Sequence, residues 1–197
     1  MIAITIFLFC SSTLSWADTY SITGHGEFSI GYSMGTHKGI IENITGKVND
    51  GPQRPEQNIG LLKMSLYDLK THKEKMTCHM WEALGLDYKK SDFPEDHVCD
   101  SDNKIPSQGK NAVAFPDIQF KISSVDRLDD HTYRLKGTWT IHGHSKEEEV
   151  TVKDGKADLS FVLADYGIIV KNFLFISVDD TAHVSLEFNI RKETLTH

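Results

Sequence analysis

The stretch "GTWTIHGHSKEEEVTVKDG", residues 137–155, decides how the rest of the chain is read. Trp139 and Ile141 alternate with Thr138, Thr140 and His142, the period of a half-buried strand. Val150 and Val152 carry the same alternation after the turn. Gly143 supplies the backbone freedom that a tight turn needs. The segment therefore predicts a β-hairpin with its tip at Gly143. That reading bears on chemistry too. On one continuous strand His142 and His144 would share a face and could chelate a metal. A turn at Gly143 breaks that geometry, and no nearby Cys or carboxylate offers a third ligand at characteristic spacing. The expectation is a hairpin tip and no metal site.

Working outward, the same period recurs. "GEFSIGYSMG" places Phe28, Ile30 and Tyr32 opposite Ser29, Gly31 and Ser33. "DIQFKISSV" places Ile118, Phe120 and Ile122 opposite Gln119, Lys121 and Ser123. "ADLSFVLADYG" gives Leu159, Phe161 and Leu163; "HVSLEFNIRK" gives Val184, Leu186, Phe188 and Ile190. "FLFISV" is an almost unbroken apolar run. Many such strands separated by turn residues predict an antiparallel barrel or sandwich with one apolar interior. "NDGPQRPEQN", Asn49 to Asn58, reads as a turn or short linker. The middle differs. Leu69 to Lys90 is the helical candidate, with Met76, Met80, Ala83 and Leu84 near helical spacing and Gly85 as a stop. The polar stretch after it, "SDFPEDHVCDSDNKIPSQGKNA", reads as a long loop.

Length and charge bound the function. A chain of 197 residues with 39% hydrophobic and 25% charged residues fits one soluble domain. Its net charge of −7 and lack of a basic block argue against nucleic acid and anionic membrane surfaces. Ile2 to Phe9 is an apolar run too short to span a bilayer. Ser15-Trp16-Ala17 follows with small residues where a signal peptidase reads them. Residues 1–17 are expected to be a signal peptide, leaving Asp18 to His197 as one exported domain, periplasmic or secreted. The rival reading of that run is a buried first strand. Phe9 before Cys10 does not fit a lipoprotein signal. No other segment is long and apolar enough to be an integral membrane span. Cleavage leaves Cys78 and Cys99, and two cysteines in an exported chain suggest one disulfide. Asn43-Ile44-Thr45 is a glycosylation sequon, useful only in a eukaryotic secretory pathway.

Together these segments resemble the YceI-like family, a lipocalin-type group associated with polyisoprenoids. "GEFSIGYSM" and "ENITGKV" look like its first two strands, and "CHMWEALGL" is similar to its helical segment. "AFPDIQFKISSV" looks like its Tyr-Pro-x-Ile-x-Phe strand. "YRLKGTWTIHGHSKEEEV" is close to its Gly-x-Leu-Thr-Ile-His-Gly-x-Thr-Lys hairpin. "SFVLADYGI" resembles its Arg-x-Asp-Phe-Gly-Ile turn, with Tyr166 in place of Phe and no Arg. Thr77-Cys78 stand where the family has Arg-Asp before His79. The resemblance implies an all-β, eight-stranded antiparallel barrel, a short helical segment over it, and an elongated apolar cavity.

The aromatic residues on apolar strand faces can fill a core or line a cavity, since an eight-stranded barrel does either. The resemblance favours the cavity. The expected ligand-binding residues are then Phe28, Ile30, Tyr32, Phe120, Trp139, Ile141 and Phe161, with His79 as a polar contact at the mouth. His79 also has a plainer reading, a helix histidine bonded to a loop carbonyl. No catalytic residue is assigned. Adjacent Cys78 and His79 point in different directions on a helix. Glu147-Glu148-Glu149 reads as a solvated strand start. The expected function is an exported, non-enzymatic protein that holds an isoprenoid-type chain, a quinone or polyprenyl lipid, for transport or storage. Apart from that lipid no cofactor is expected, and a homodimer is compatible with the reading. The alternative is a metal-binding stress protein or hydrolase that uses His142, His144 and His79.

Overall fold

The computed structural model describes residues 18–50, 59–86, 114–169 and 177–193. Among them are nine strands and one α-helix: β1 (Asp18–Tyr32), β2 (Gly35–Asp50), β3 (Gly60–Ser65), β4 (Leu69–Thr71), α1 (Glu74–Ala83), β5 (Asp117–Arg127), β6 (Thr132–Ile141), β7 (His144–Lys153), β8 (Lys156–Val162) and β9 (Val178–Lys192). Eight of the strands form a closed antiparallel ring in the order β1, β2, β3, β5, β6, β7, β8, β9, returning to β1. This is the expected barrel with one helix. β4 is a branch. It pairs with Gly39–Ile41 of β2, along the edge whose farther part pairs with β3.

Two turns show how local chemistry sets this meander. His142 and Gly143 have φ of 52° and 77°, and Asp154 and Gly155 have φ of 51° and 76°. Two successive residues of positive φ in a two-residue loop match the twist of the flanking strands. The expected hairpin tip at Gly143 is therefore what forms, with Ile141 opposite His144.

Alternation carries the core. Ile118, Phe120 and Ile122 of β5, Trp139 and Ile141 of β6, and Val150 and Val152 of β7 are all buried. Two bulges then adjust the phase. Between Gly24 and Gly26 of β1, β2 has an extra residue, so Ile41 and Ile44 are both buried despite their opposite parity. Between Ile122 and Ser124 of β5 the register slips again, and Val125 joins the core face.

Two expectations need correction. The helix is shorter than Leu69 to Lys90. Leu69–Thr71 is extended because β2 offers it an edge, and α1 begins only at Glu74. Gly85 does stop it, with φ of 96°. Asn49 and Asp50 continue β2 instead of starting a turn. Residues 1–17, 51–58 and 173–176, and the polar stretch 91–112, lie outside the described residues.

The ring is uneven at one seam. β7 and β8 pair only at Lys153–Lys156, beside their turn. Beyond that point the 3-10 turn Leu163–Tyr166 packs against β7, β8 and β9. α1 lies at the same end of the barrel as this turn and the β6–β7 hairpin. Gly85 comes so near His142 that an added Cβ would stand 3.1 Å from Nε2.

Candidate functional site

The barrel interior at the level of Trp139 is a stack of rings. Trp139 stacks on Phe120 at a centroid distance of 4.6 Å and meets Phe161 edge-on at 5.3 Å. Phe161 in turn meets Tyr166 edge-on at 5.9 Å. Gly137 makes room for this. A Cβ there would lie 2.7 Å from Phe120 Cζ, so only glycine lets the ring lie flat against β6. Four rings from β5, β6, β8 and the 3-10 turn thus form one apolar cluster.

Two polar atoms sit inside it. Among the described residues, Trp139 Nε1 and Tyr166 Oη are buried without a hydrogen-bond partner. Their residues are 2% and 0% exposed. Burial pushes the Tyr166 phenol far above its usual range, and the Glu148 and Asp165 carboxylates add to the effect.

The 3-10 turn that carries Tyr166 is tied to the hairpin. His142 Nδ1 lies 3.3 Å from the Tyr166 carbonyl and donates to it. Lys146 Nζ binds Asp165 Oδ2 at 2.5 Å and Glu148 Oε1 at 3.4 Å. Those bonds hold the Lys146 ammonium above its usual range. The glutamate run is thus not uniform. Glu147 and Glu149 are solvated as expected, whereas Glu148 is half-buried on the parity of Val150 and Val152, beside Tyr166.

The expected ligand residues fall into three places. Phe120, Trp139, Ile141 and Phe161 belong to the packed interior. Phe28 rests on that core, and its ring lies across Gly39 of β2. Ile30 and Tyr32 are half-buried at the far end of the β1–β2 hairpin, where Tyr32 stacks on His37 at 4.2 Å. His79 stands on α1, with Nδ1 3.1 Å from Glu82 Oε2 one turn along the helix. On the same helix Trp81 donates to the Leu69 carbonyl at 3.0 Å. Cys78 is buried; Cys99, the disulfide partner expected from sequence, lies outside the described residues.

Two depressions lie on the surface. One of about 240 Å³ is lined by Asn43, Thr45, Lys63, Met64, Ser65, Asp68 and Asp117. The other, of about 540 Å³, lies among Thr23, Gly24, His25, Glu42, Glu187, Phe188 and Asn189. Among the described residues no group of three or more His, Cys, Asp and Glu could hold a metal ion. The rings of His142, in the turn, and His144, at the start of β7, lie 6.2 Å apart.

Sequence reasoning missed Tyr166 and Glu148. The signal for Tyr166 was present in the "ADYG" turn, where it replaces the phenylalanine of the resembled motif. Glu148 was legible from parity, two residues before Val150.

A family model described as YceI-like domain matches residues 20–190. Among solved structures, BcnA of Burkholderia cenocepacia is similar, with a TM-score of 0.54 at 10% identity, over 86% of this chain and 96% of that one. A polyisoprenoid binding domain from Saccharophagus degradans, implicated in plant cell wall breakdown, gives 0.53 at 10% identity, over 88% and 98%. At that identity the likeness is one of fold. No match is found among curated proteins.

Proposed function

The chain belongs to the YceI-like family, and from that premise we propose that it binds one isoprenoid-type lipid, a quinone or polyprenyl lipid, inside the barrel for transport or storage. One observation carries the reading. The closed ring turns an apolar face inward from every strand, and its interior aromatic cluster contains two polar atoms that have no partner among the described residues. A long apolar chain suits such walls, because burial contributes about 25 cal/mol per Å² of apolar surface removed from water. The polyisoprenoid-binding domain that shares the fold supports the same ligand class. The ring cluster fills the interior at the level of Trp139, so ligand entry requires Phe161 and Tyr166 to give way. No catalytic role is assigned to any residue; this is a binding protein.

Export belongs to the proposal, with cleavage after Ala17 and a periplasmic or secreted location. So does a Cys78–Cys99 bridge tying α1 to the polar stretch that follows it, with stabilisation of roughly 3 kcal/mol by loop-closure reasoning. The deciding experiment is intact-complex mass spectrometry of protein purified from its own host, followed by lipid extraction. A single bound prenyl lipid per chain is the expected result. Protein that arrives empty, and takes up none of a panel of quinones and polyprenols, would remove the binding reading. N-terminal sequencing and non-reducing peptide mapping of the same sample test the cleavage site and the bridge.

A further inference from the structure

We propose that the 3-10 turn Leu163–Tyr166 is a gate over a lateral entrance to the barrel, the split between β7 and β8, and that it swings aside as one piece when ligand enters or leaves. The proposal rests on the lipid-binding reading and adds the route by which that site fills. The split is the weak joint of the ring. β7 pairs with β6, and β8 with β9, along their whole lengths, yet among the described residues β7 meets β8 only at Lys153–Lys156. The next shortest joint, β2–β3, still runs from Thr45–Lys63 to Val48–Gly60. At the open end of the split the turn packs against β7, β8 and β9. Its Tyr166 is the member of the aromatic cluster that no strand carries. Lifting the turn therefore withdraws Tyr166 from Phe161 and uncovers the interior without breaking a ladder.

The fastenings of the turn are light. Val162 at its start makes no side-chain cap bond, and Gly167 at its end has φ of 65°, a conformation glycine enters and leaves at little cost. The bond from His142 Nδ1 to the Tyr166 carbonyl is long, at 3.3 Å. The Lys146–Asp165 pair is 43% and 41% exposed, where an ion pair contributes little. The closed position also carries a penalty. Tyr166 Oη is buried with no partner among the described residues, and opening returns it to water. Light fastenings and a hydroxyl that favours the open position leave a small gap between the two positions, which is what a gate requires.

The test uses the full mature chain, stripped of lipid, with a prenylated benzoquinone as probe. Entry is followed by stopped-flow quenching of tryptophan fluorescence, and exit by transfer to phosphatidylcholine vesicles in excess. Lys146→Met unfastens the turn. It should speed entry and exit by the same factor, about twofold to fivefold, and leave the dissociation constant unchanged, because a gate alters the path and not the bound state. Tyr166→Phe keeps the ring and removes the hydroxyl that favours opening; it should slow both rates by about fivefold or more. Lys136→Met removes the Lys136–Glu149 pair on the intact β6–β7 ladder and should change neither rate. Circular dichroism confirms that each variant is folded. Wild-type rates in both folded gate variants would overturn the proposal and place the entrance elsewhere. A dissociation constant that moves in Lys146→Met while entry does not would overturn it too, making Lys146 part of the ligand's wall. A wild-type protein that takes up no prenyl quinone would remove the lipid-binding reading, and the gate along with it.

Discussion

At the scale of single residues, Trp139 carries the most packing. Its indole is 2% exposed and touches Phe120 on its face and Phe161 by its edge. Trp139→Ala would leave a cavity that β5, β6 and β8, fixed by their ladders, cannot close. The expected loss is about 3–5 kcal/mol, read as a lower urea midpoint with an unchanged slope. A loss below about 1 kcal/mol would mean that the neighbouring rings collapse into the gap. His37 offers a pH-dependent counterpart. Burial of its ring lowers its pKa from the usual 6.5, and nearby Lys73 lowers it further. A depressed folded value means that the unfolded chain binds the proton more readily. The stability contributed by the neutral ring is full above pH 6.5 and is lost as pH falls through the folded value. An NMR titration of His37 should give a midpoint below 6.5, with the Tyr32–His37 stack loosening on protonation; a midpoint at or above 6.5 contradicts this.

At the scale of elements, the β6–β7 hairpin and the 3-10 turn Leu163–Tyr166 act as one unit, joined by His142 and Lys146. Lys146→Met removes both ion pairs of that lysine. These pairs are partly solvated, so global stability should fall by less than about 1 kcal/mol. The turn should nevertheless open more often, giving faster hydrogen exchange at the Ile168 amide, which bonds the Leu163 carbonyl. Unchanged exchange would show that burial of Tyr166 alone anchors the turn. The hairpin was legible in the sequence because period two and one glycine are local signals. Tyr166 was legible only as a substitution in the "ADYG" turn; its burial was not, because it comes from the spreading of β7 and β8. Leu69–Thr71 was misread as helix for the same reason: three residues carry too little pattern to reveal an edge on distant β2. The sequence showed which aromatics face inward; that Phe120, Trp139 and Phe161 pack on one another depends on the closed ring.

At the scale of the whole molecule, closure leaves every ring strand with two neighbours, yet β7 has one only nominally. Its ladder to β8 ends at Lys153–Lys156. In a two-residue hairpin the flanking pair Ile141–His144 bonds across, so every second residue from His144 bonds to β6. Ser145, Glu147, Glu149 and Thr151 therefore turn their amides towards the seam. Among the described residues no strand pairs with that edge beyond Lys153, and an unpaired backbone edge is a template for intermolecular strand pairing and aggregation. The charges of this strand then have a colloidal role. Glu147 and Glu149 are solvated, and Lys146 and Glu148 lie on the inward parity, where an incoming strand would have to bury them. A Glu147→Val/Glu149→Val double variant should fold normally when dilute but form β-rich oligomers as concentration rises, seen as light scattering and thioflavin binding. Should it stay as monodisperse as the wild type, the edge must be guarded by something other than its glutamates.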